Sequence, residues 1–418
     1  MSALLASDER PLFEAFRPFT KEQIANPYPV LAQARSEQPV FFCEELNCWV
    51  VTRYDDVNRI YGEPMLYSNA EVLAPRMDKP AEIQEEFGDR ELNLHFQLVA
   101  SDPPVHTRLR KLMSPAFLPS RIAGRQDWIR ALTHRLIDAF EAEGQVDLVR
   151  NYAALIPTSV IGKVVGAPEE DARQFGRWVD DIFVLTGAWD ISEAERAKAW
   201  RGVFAFEDYI AALVDDRRKH PQDDLTTDFI QAQSDDGSPA MSDIEVLWNV
   251  FNVAAAGADT TGVLIAGLIH LLLSNPQQWT AVKENRDLIP NAIEESMRAR
   301  SPVRGLMRKT TAPVVIGGVA IPQGAMVFIN LASANHDEKH FSDADQFDVR
   351  RRNANRQLGF GSRSHACIGA PLARLEARIA IETLIDRLPN LELLEDSWAL
   401  RYRPNLMLPV IESLNARW

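Results

Sequence analysis

The chain has 418 residues, 46 % hydrophobic and 25 % charged, which is ordinary globular composition. A formal net charge of −14 argues against nonspecific nucleic-acid binding, and three cysteines make no disulfide framework and suit a reducing compartment. Met1 to Arg10 has no basic n-region and no apolar core, and the longest apolar stretch, Val263 to Leu273, is too short to span a bilayer, so no membrane association and a cytoplasmic location are expected.

Asn26-Pro-Tyr-Pro29 starts a helix that ends near Ser36. Val40 to Phe42 and Cys48 to Thr52 are β-rich around a polar turn and read as a hairpin, with Cys43 and Cys48 as packed strand residues. Residues 70 to 100, with Pro75, Pro80 and Gly88, read as one irregular loop; a loop of that length is often functional. Asp102-Pro-Pro opens a helical pattern that runs from Thr107 to Ala142, and His106 and Arg110 share a face at i, i+4. Pro168 followed by Glu169, Glu170 and Asp171 is a helix start, and Ser192 with Glu195 is a capping box for the next helix.

After a polar turn at Gln233 to Pro239, Ser242 and Glu245 form another capping box. The helix they open runs to about Ser274, where Asn275-Pro276 stops it; about 32 residues span roughly 48 Å. Being apolar on most faces, it must be buried through the centre of the molecule. Ala256-Gly-Ala-Asp-Thr-Thr261 interrupts it: Gly257 costs roughly 1 kcal/mol against Ala, and the Thr260 hydroxyl can bond the Ala256 carbonyl and open the helix. By itself this is equally a tolerated irregularity at a packing contact.

Glu295 and Arg298 share a face of the helix Pro290 to Ala299, a pair that taken alone is worth under about 1 kcal/mol on a surface. Val314 to Ile316, Val319 to Ile321 and Met326 to Ile329 are short strands joined by Gly317-Gly318 and Pro322-Gln-Gly324 turns. His336 and His340 have metal-pair spacing but no third ligand. The fold class is mainly α with a minor β portion.

Phe360 to Gly369 read Phe-Gly-Ser-Arg-Ser-His-Ala-Cys-Ile-Gly, ahead of a helical stretch from Ile368 to Leu388. Cys367 therefore stands at a helix N-terminus, where backbone N–H groups and the dipole favour a thiolate. As a nucleophile it would have only the local His365 and no thiol-hydrolase signature. Zinc would need more ligands, and an iron–sulfur cluster needs about four cysteines. Gly361 and Gly369 allow close approach and Phe360 can shield a sulfur, so a single thiolate here fits one large, flat iron cofactor, haem.

The chain at this point resembles the cytochromes P450. The family's haem-loop pattern, Phe-Gly-x-x-x-His-x-Cys-x-Gly, is matched at Phe360, Gly361, His365, Cys367 and Gly369, and further segments match in the family's order over nearly the whole chain. Arg363 stands where the family usually has a second Gly, and Gln357 where it often has His.

The resemblance implies one catalytic domain over residues 1–418, with a helix-rich and a smaller β-rich subdomain. Haem b would lie between the long central helix and the cysteine-loop helix, with Cys367 as its axial ligand. His106, Arg110, Arg308 and His365 would hold the propionates, and Phe360, Gly361, Gly369, Ala256 and Gly257 would frame the cofactor. Asp259 and Thr260 resemble the family's acid–alcohol pair, which guides protons to dioxygen so that the O–O bond breaks. Glu295, Arg298 and Arg351 would form a buried charged network fixing the cysteine loop, with Arg350 as the other candidate for the third place.

Substrate contacts are implied on the loop 70–100, on residues 183–189, at Phe251 to Ala255, from Val303 through Arg304 and Leu306 to Met307, and at Leu406. Most of these are apolar, which points to a small hydrophobic substrate; Arg304 either binds a substrate carboxylate or serves the structure or a propionate. The implied activity is hydroxylation or oxidative demethylation by a monomeric monooxygenase of the bacterial type. No flavin or iron–sulfur segment follows the last apolar stretch, so NAD(P)H electrons are expected through a ferredoxin and its reductase. Arg108, Lys111, Arg363 and Arg350 to Arg352 would give an acidic ferredoxin its basic patch. The competing readings are a peroxide-driven peroxygenase, against which Asp259 and Thr260 speak, a non-catalytic haem sensor or carrier, and a haem-free helical scaffold.

Overall fold

The computed structural model describes residues 12–75, 78–189, 191–234 and 240–418. The expectation for Met1 to Arg10, and most of that for Gln233 to Pro239, lies outside the described residues. Helices dominate, and their start signals work as read. Ser192 and Ser242 each accept from the N–H three residues on while Glu195 and Glu245 reach back, opening helices Glu193–Lys219 and Asp243–Leu273. Pro168 leads through a short turn of 3₁₀-helix into Ala172–Gly187.

The 31-residue helix Asp243–Leu273 is long and apolar enough to cross a membrane, but 78 % of its most apolar window is buried inside the protein. It is a core helix. It packs against Leu155–Val165, Ala172–Gly187, Glu193–Lys219 and Ala370–Arg387. The run 256–261 does not break it: Thr260 Oγ1 donates to Ala256 O at 2.6 Å and the helix continues through. The expected opening is therefore not observed. The hydroxyl bonds the carbonyl four residues back without displacing the backbone ladder.

A five-stranded sheet runs in the order Val40–Cys43, Cys48–Val51, Met326–Asn330, Gly305–Thr310, Tyr67–Ser68. The expected hairpin forms with Cys43 opposite Cys48 and both buried. Gly317 and Gly318, both at positive φ, turn Val314–Ile316 into Val319–Ile321. Strand Gly305–Thr310 was not legible in the sequence, because its Arg308 and Lys309 break the apolar pattern, yet Arg308 is 4 % exposed.

One stretch differs from expectation. Residues 70–100 hold the helix Ala81–Phe87, bracketed by Pro80 at its N-cap and Gly88, φ 58°, at its C-cap. The residues that suggested irregularity are its punctuation. The helical pattern from Thr107 to Ala142 is present as Val105–Met113, Pro119–Ala123 and Gln126–Asp138, divided around Pro115, Pro119 and Gly124.

Candidate active site

The cysteine loop is built from the backbone outward. Gly361 N donates to Leu358 O at 2.8 Å and Cys367 N to Phe360 O at 2.7 Å. Gly361 sits at φ 69°, and a Cβ there would lie 2.7 Å from His365 O, so only glycine fits. Arg363 takes φ 55°, a left-handed conformation without glycine's freedom. The Arg374 guanidinium lies over the Phe360 ring at 4.4 Å.

Cys367 is exposed on one side although the protein around it is dense. Desolvation pushes its thiol up from the ordinary cysteine value. The N–H groups of Gly369 and Ala370 and the guanidinium groups of Arg110 and Arg374 oppose that without overcoming it. The helix-end N–H groups thus favour the thiolate, as expected from the sequence, and desolvation outweighs them. A bound metal cation would supply the missing stabilisation.

The central helix has one opening of its own. Between Ile244 and Ser274 of the central helix, Ala256 alone is exposed. Gly257 faces elsewhere: a Cβ built on it would stand 2.7 Å from Ile161 Cδ1, so its smallness serves packing against the helix Leu155–Val165. This corrects the expectation that Gly257 makes room for a ligand.

Beside Cys367, basic side chains from three segments meet. His106 and His365 have ring centroids 4.1 Å apart, and Arg110 Nη1 donates to Ala366 O at 2.6 Å. Arg308 is buried, donates to Met307 O at 2.7 Å and lies over Tyr61. Desolvation, with His106, Arg308 and Arg110 adding to it, holds His365 down to about 3; burial likewise lowers His106, Arg110 and Arg308. The nearby acid Asp102 already accepts from Asn69 N at 2.8 Å and from Ser68 Oγ. Such a cluster lacks anions, and two carboxylates of a cofactor edge would meet that need.

Asp259 follows Ala256 by less than one turn. Its buried Oδ2 has no hydrogen-bond partner among the described residues. Burial, and then the carboxylate of Asp180, raise its pKa well above the ordinary carboxylate range, with Arg403 opposing.

The charged network is present and buried. Arg298 makes a fork to Glu295, 2.8 Å at both oxygens, and Arg351 Nε reaches the same carboxylate at 3.0 Å. Arg350 is exposed, so Arg351 is the third member. Arg298 and Arg351 also bind the carbonyls of Asn335, Ser342, Asp343, Ala344 and Gln346. Asn335 Oδ1 then accepts from Leu358 N at 2.7 Å, and Leu358 O holds Gly361. The network is thus wired to the cysteine loop.

Phe251 and Ala255 line a narrow cavity of about 30 Å³ with Leu73, Leu94, Gln97 and Leu185, so residues from the loop 70–100 and the 183–189 segment reach it as expected. Val303, Arg304, Leu306 and Leu406 do not line it. Val303 and Leu306 pack on the β-sheet core, and Leu406 belongs to the cluster around Phe16 and Phe41. Arg304 donates to Ile24 O at 2.6 Å and lies over the Tyr402 ring, a structural position. His336 stacks on Tyr28 and His340 on Tyr54, and no metal-binding group of three ligand residues is found among the described residues.

The family model for Cytochrome P450 matches residues 70–396. The chain belongs to the cytochrome P450 family. It is 34 % identical over 376 residues to Cytochrome P450 107B1 of Saccharopolyspora erythraea, covering 89 % of each chain. It is also 34 % identical to the monooxygenase PikC of Streptomyces venezuelae, over 94 % of this chain and 91 % of that one. The hydroxylase of 6-deoxyerythronolide B from S. erythraea matches at 34 % over 93 % and 95 %. Among solved structures, cytochrome P450 CREJ in complex with (4-ethylphenyl) dihydrogen phosphate superposes with a TM-score of 0.90 at 32 % identity, covering 96 % of this chain and 99 % of that one. This P450 is therefore a monooxygenase of the bacterial type, with the P450 fold and the family's haem cofactor.

Sequence reasoning missed several residues of this P450 site. Asn69 Nδ2 stands 2.6 Å from His365 Nε2, a contact across 296 positions that no local pattern announces. Asp180 and Arg403, which bear on Asp259, come from two other elements. Gln357, in the family's frequent His position, accepts from Gly359 N and donates to Glu294, so it braces the loop.

Proposed function

We propose that this P450 holds haem through Cys367 and oxidises a small, mostly apolar molecule by hydroxylation or oxidative demethylation, with NAD(P)H electrons delivered by a ferredoxin and its reductase. The observation that carries the reading is an exposed Cys367 in dense surroundings with the anion-poor cluster of His106, Arg110, Arg308 and His365 beside it. Haem, when bound there, supplies dioxygen activation, and the thiolate favours O–O cleavage.

The chain's own groups have separable tasks. His106, Arg110, Arg308 and His365 hold the propionates, while Phe360, Gly361 and Gly369 shape the thiolate side and Ala256 the opposite face. Asp259, its pKa raised by burial, holds and passes a proton one residue from Thr260. Thr260 gives its own hydrogen to Ala256 O and so meets the cleft as an acceptor. The cavity at Phe251 and Ala255 orients the substrate and excludes water.

For the electron donor, Lys111, Arg350, Arg352 and Arg363 are exposed around the cysteine loop, and an acidic ferredoxin fits them. Arg108 is removed from that patch by its ion pair with Glu245, and Arg351 by burial. We read the protein as a cytoplasmic monomer. The test is product formation with NAD(P)H, ferredoxin and reductase against product formation with peroxide alone. Turnover only with peroxide would establish the peroxygenase instead, and Cys367→Ser must abolish the thiolate-type carbon monoxide spectrum.

A further inference from the structure

We infer that the cavity beside Phe251 and Ala255 takes the hydroxyl or N–H end of a neutral substrate, which donates to Gln97 Oε1. This rests on the reading of that cavity as the substrate site and names its ligand class.

Gln97 lies between two short 3₁₀ turns, Leu94–Phe96 and Leu98–Ala100. Asn249 of the central helix clamps the chain on both sides of it. Its Oδ1 accepts from Leu98 N at 2.9 Å, and its Nδ2 donates to Phe96 O at 2.9 Å. The Gln97 backbone is also spent: its N–H donates to Leu94 O at 3.0 Å, and its carbonyl accepts from Ser101 Oγ at 2.7 Å. Only the side chain is left. It is 1 % exposed, lines the cavity, and its Oε1 has no partner among the described residues. A buried acceptor left unmet is destabilising, and buried polar groups that persist commonly have a partner from outside the chain.

The rest of the wall defines what that partner is. Asn252, one turn beyond Asn249, places a second buried amide on the cavity. Thr186 also lines it, but its hydroxyl already donates to Ile182 O at 3.0 Å, leaving an acceptor. Among the described residues the rest of the lining is apolar and none is charged. An ionised carboxylate or phosphate would be buried there with no counter-charge from the described residues, and Arg304 is committed to Ile24 O. The cavity therefore offers Gln97 Oε1 and the Thr186 oxygen to a neutral donor group, and apolar contact to the part of the molecule next to it. In the resting protein its volume suits one or two waters, and a ligand that displaces water from Gln97 without replacing the hydrogen bond loses affinity.

The test uses the haem-loaded full chain and three probes of similar size: 4-ethylphenol, 4-ethylanisole and 4-ethylbenzoate. Binding is read by calorimetry and by perturbation of the Soret band, and a carbon monoxide spectrum is taken on every preparation. The phenol is expected to bind about tenfold more tightly than the methyl ether, with the benzoate weakest. Gln97→Leu should bring phenol and ether within about twofold of each other. Gln97→Met serves if the leucine variant does not fold, and Asn252→Leu should narrow the gap independently. The inference is overturned if the ether or benzoate binds as well as the phenol, if the preference survives substitution at Gln97, or if none of the three binds to protein with an intact thiolate spectrum. An abnormal carbon monoxide spectrum in the wild-type protein would instead strike the haem–thiolate reading, and calorimetry would still report on the cavity.

Discussion

Arg403 Nη1 lies 2.6 Å from Asp180 Oδ1, and that carboxylate in turn bears on the buried acid Asp259. Both members of the ion pair are partly exposed, at 49 % and 39 %, so the pair links solvent to a carboxyl whose pKa burial raises. Replacing Asp259 by Asn should lower kcat about 10²-fold, the scale of a lost general acid, with haem content and substrate affinity retained and a larger solvent isotope effect. Arg403 opposes the upward shift of Asp259. Arg403→Gln should therefore raise it further and move the loss of activity on the alkaline side to higher pH. A pH profile of kcat unchanged in Arg403→Gln would remove Arg403 from this role.

Glu295 is 0 % exposed and answers two guanidinium groups. Truncating one partner of such a network leaves an uncompensated buried charge, which costs about 3–5 kcal/mol. Glu295→Ala and Arg298→Ala should therefore show low haem content and early denaturant midpoints. Arg350→Ala, on the exposed neighbour, should leave both unchanged. The comparison of Arg350→Ala with Arg351→Ala decides whether the third place in the network belongs where the geometry puts it.

Arg363 holds φ 55° in the loop that presents Cys367, and its side chain reaches toward Gly62. Left-handed backbone costs a non-glycine residue about 1 kcal/mol or more. Arg363→Gly should raise the melting temperature of the loaded protein while removing an exposed cation from the electron-donor face. The Michaelis constant for an acidic ferredoxin should rise, and binding of the small-molecule substrate should not change.

Local signals were readable because their physics is local. Ser242 with Glu245 marks a helix start whatever the tertiary fold, and the alternation around Gly317-Gly318 marks a hairpin. The pattern from Phe360 to Gly369 announced the cysteine loop for the same reason: glycines and thiol lie within a few residues. Asn69 and Arg403 were not readable, since each acts on a partner far along the chain, and Gln97 was not, because the cavity it lines is closed by residues far along the chain. The desolvation of Cys367 was not readable either, because a helix terminus is visible in sequence and burial is not.

Two buried histidines away from the cleft set a pH dependence of stability. Burial lowers His336 to about 3 and His270 to about 4. Both pKa values are depressed on folding, so between them and the unfolded value of about 6.5 the unfolded chain binds more protons. The stability they contribute is present above pH of about 6.5 and falls as pH drops. Two protons correspond to a slope of up to about 2.7 kcal/mol per pH unit. Denaturant titrations between pH of about 6.5 and 5, before most carboxylates titrate, should show it. His336→Gln should reduce the slope by about half of that amount; an identical slope in the variant would mean that His336 does not stay neutral in the fold.

Gly257 offers the sharpest separation of a packing role from a cofactor role. A Cβ there meets Ile161 at both Cδ1 and Cγ1, 2.7 Å away, in a contact between two buried helices. Gly257→Ala should therefore destabilise by about 1–3 kcal/mol through overpacking, despite alanine's better helix propensity. Ile161→Val removes Cδ1 and should cost about 0.5–1.5 kcal/mol alone. Combined, the two changes should cost less than their sum, because the valine vacates part of the space the new methyl takes. Denaturant unfolding of the four proteins measures that coupling, and haem affinity measured alongside should follow stability. If Gly257→Ala instead weakened haem binding with no loss of stability and no coupling to Ile161, the glycine would be facing the cofactor after all.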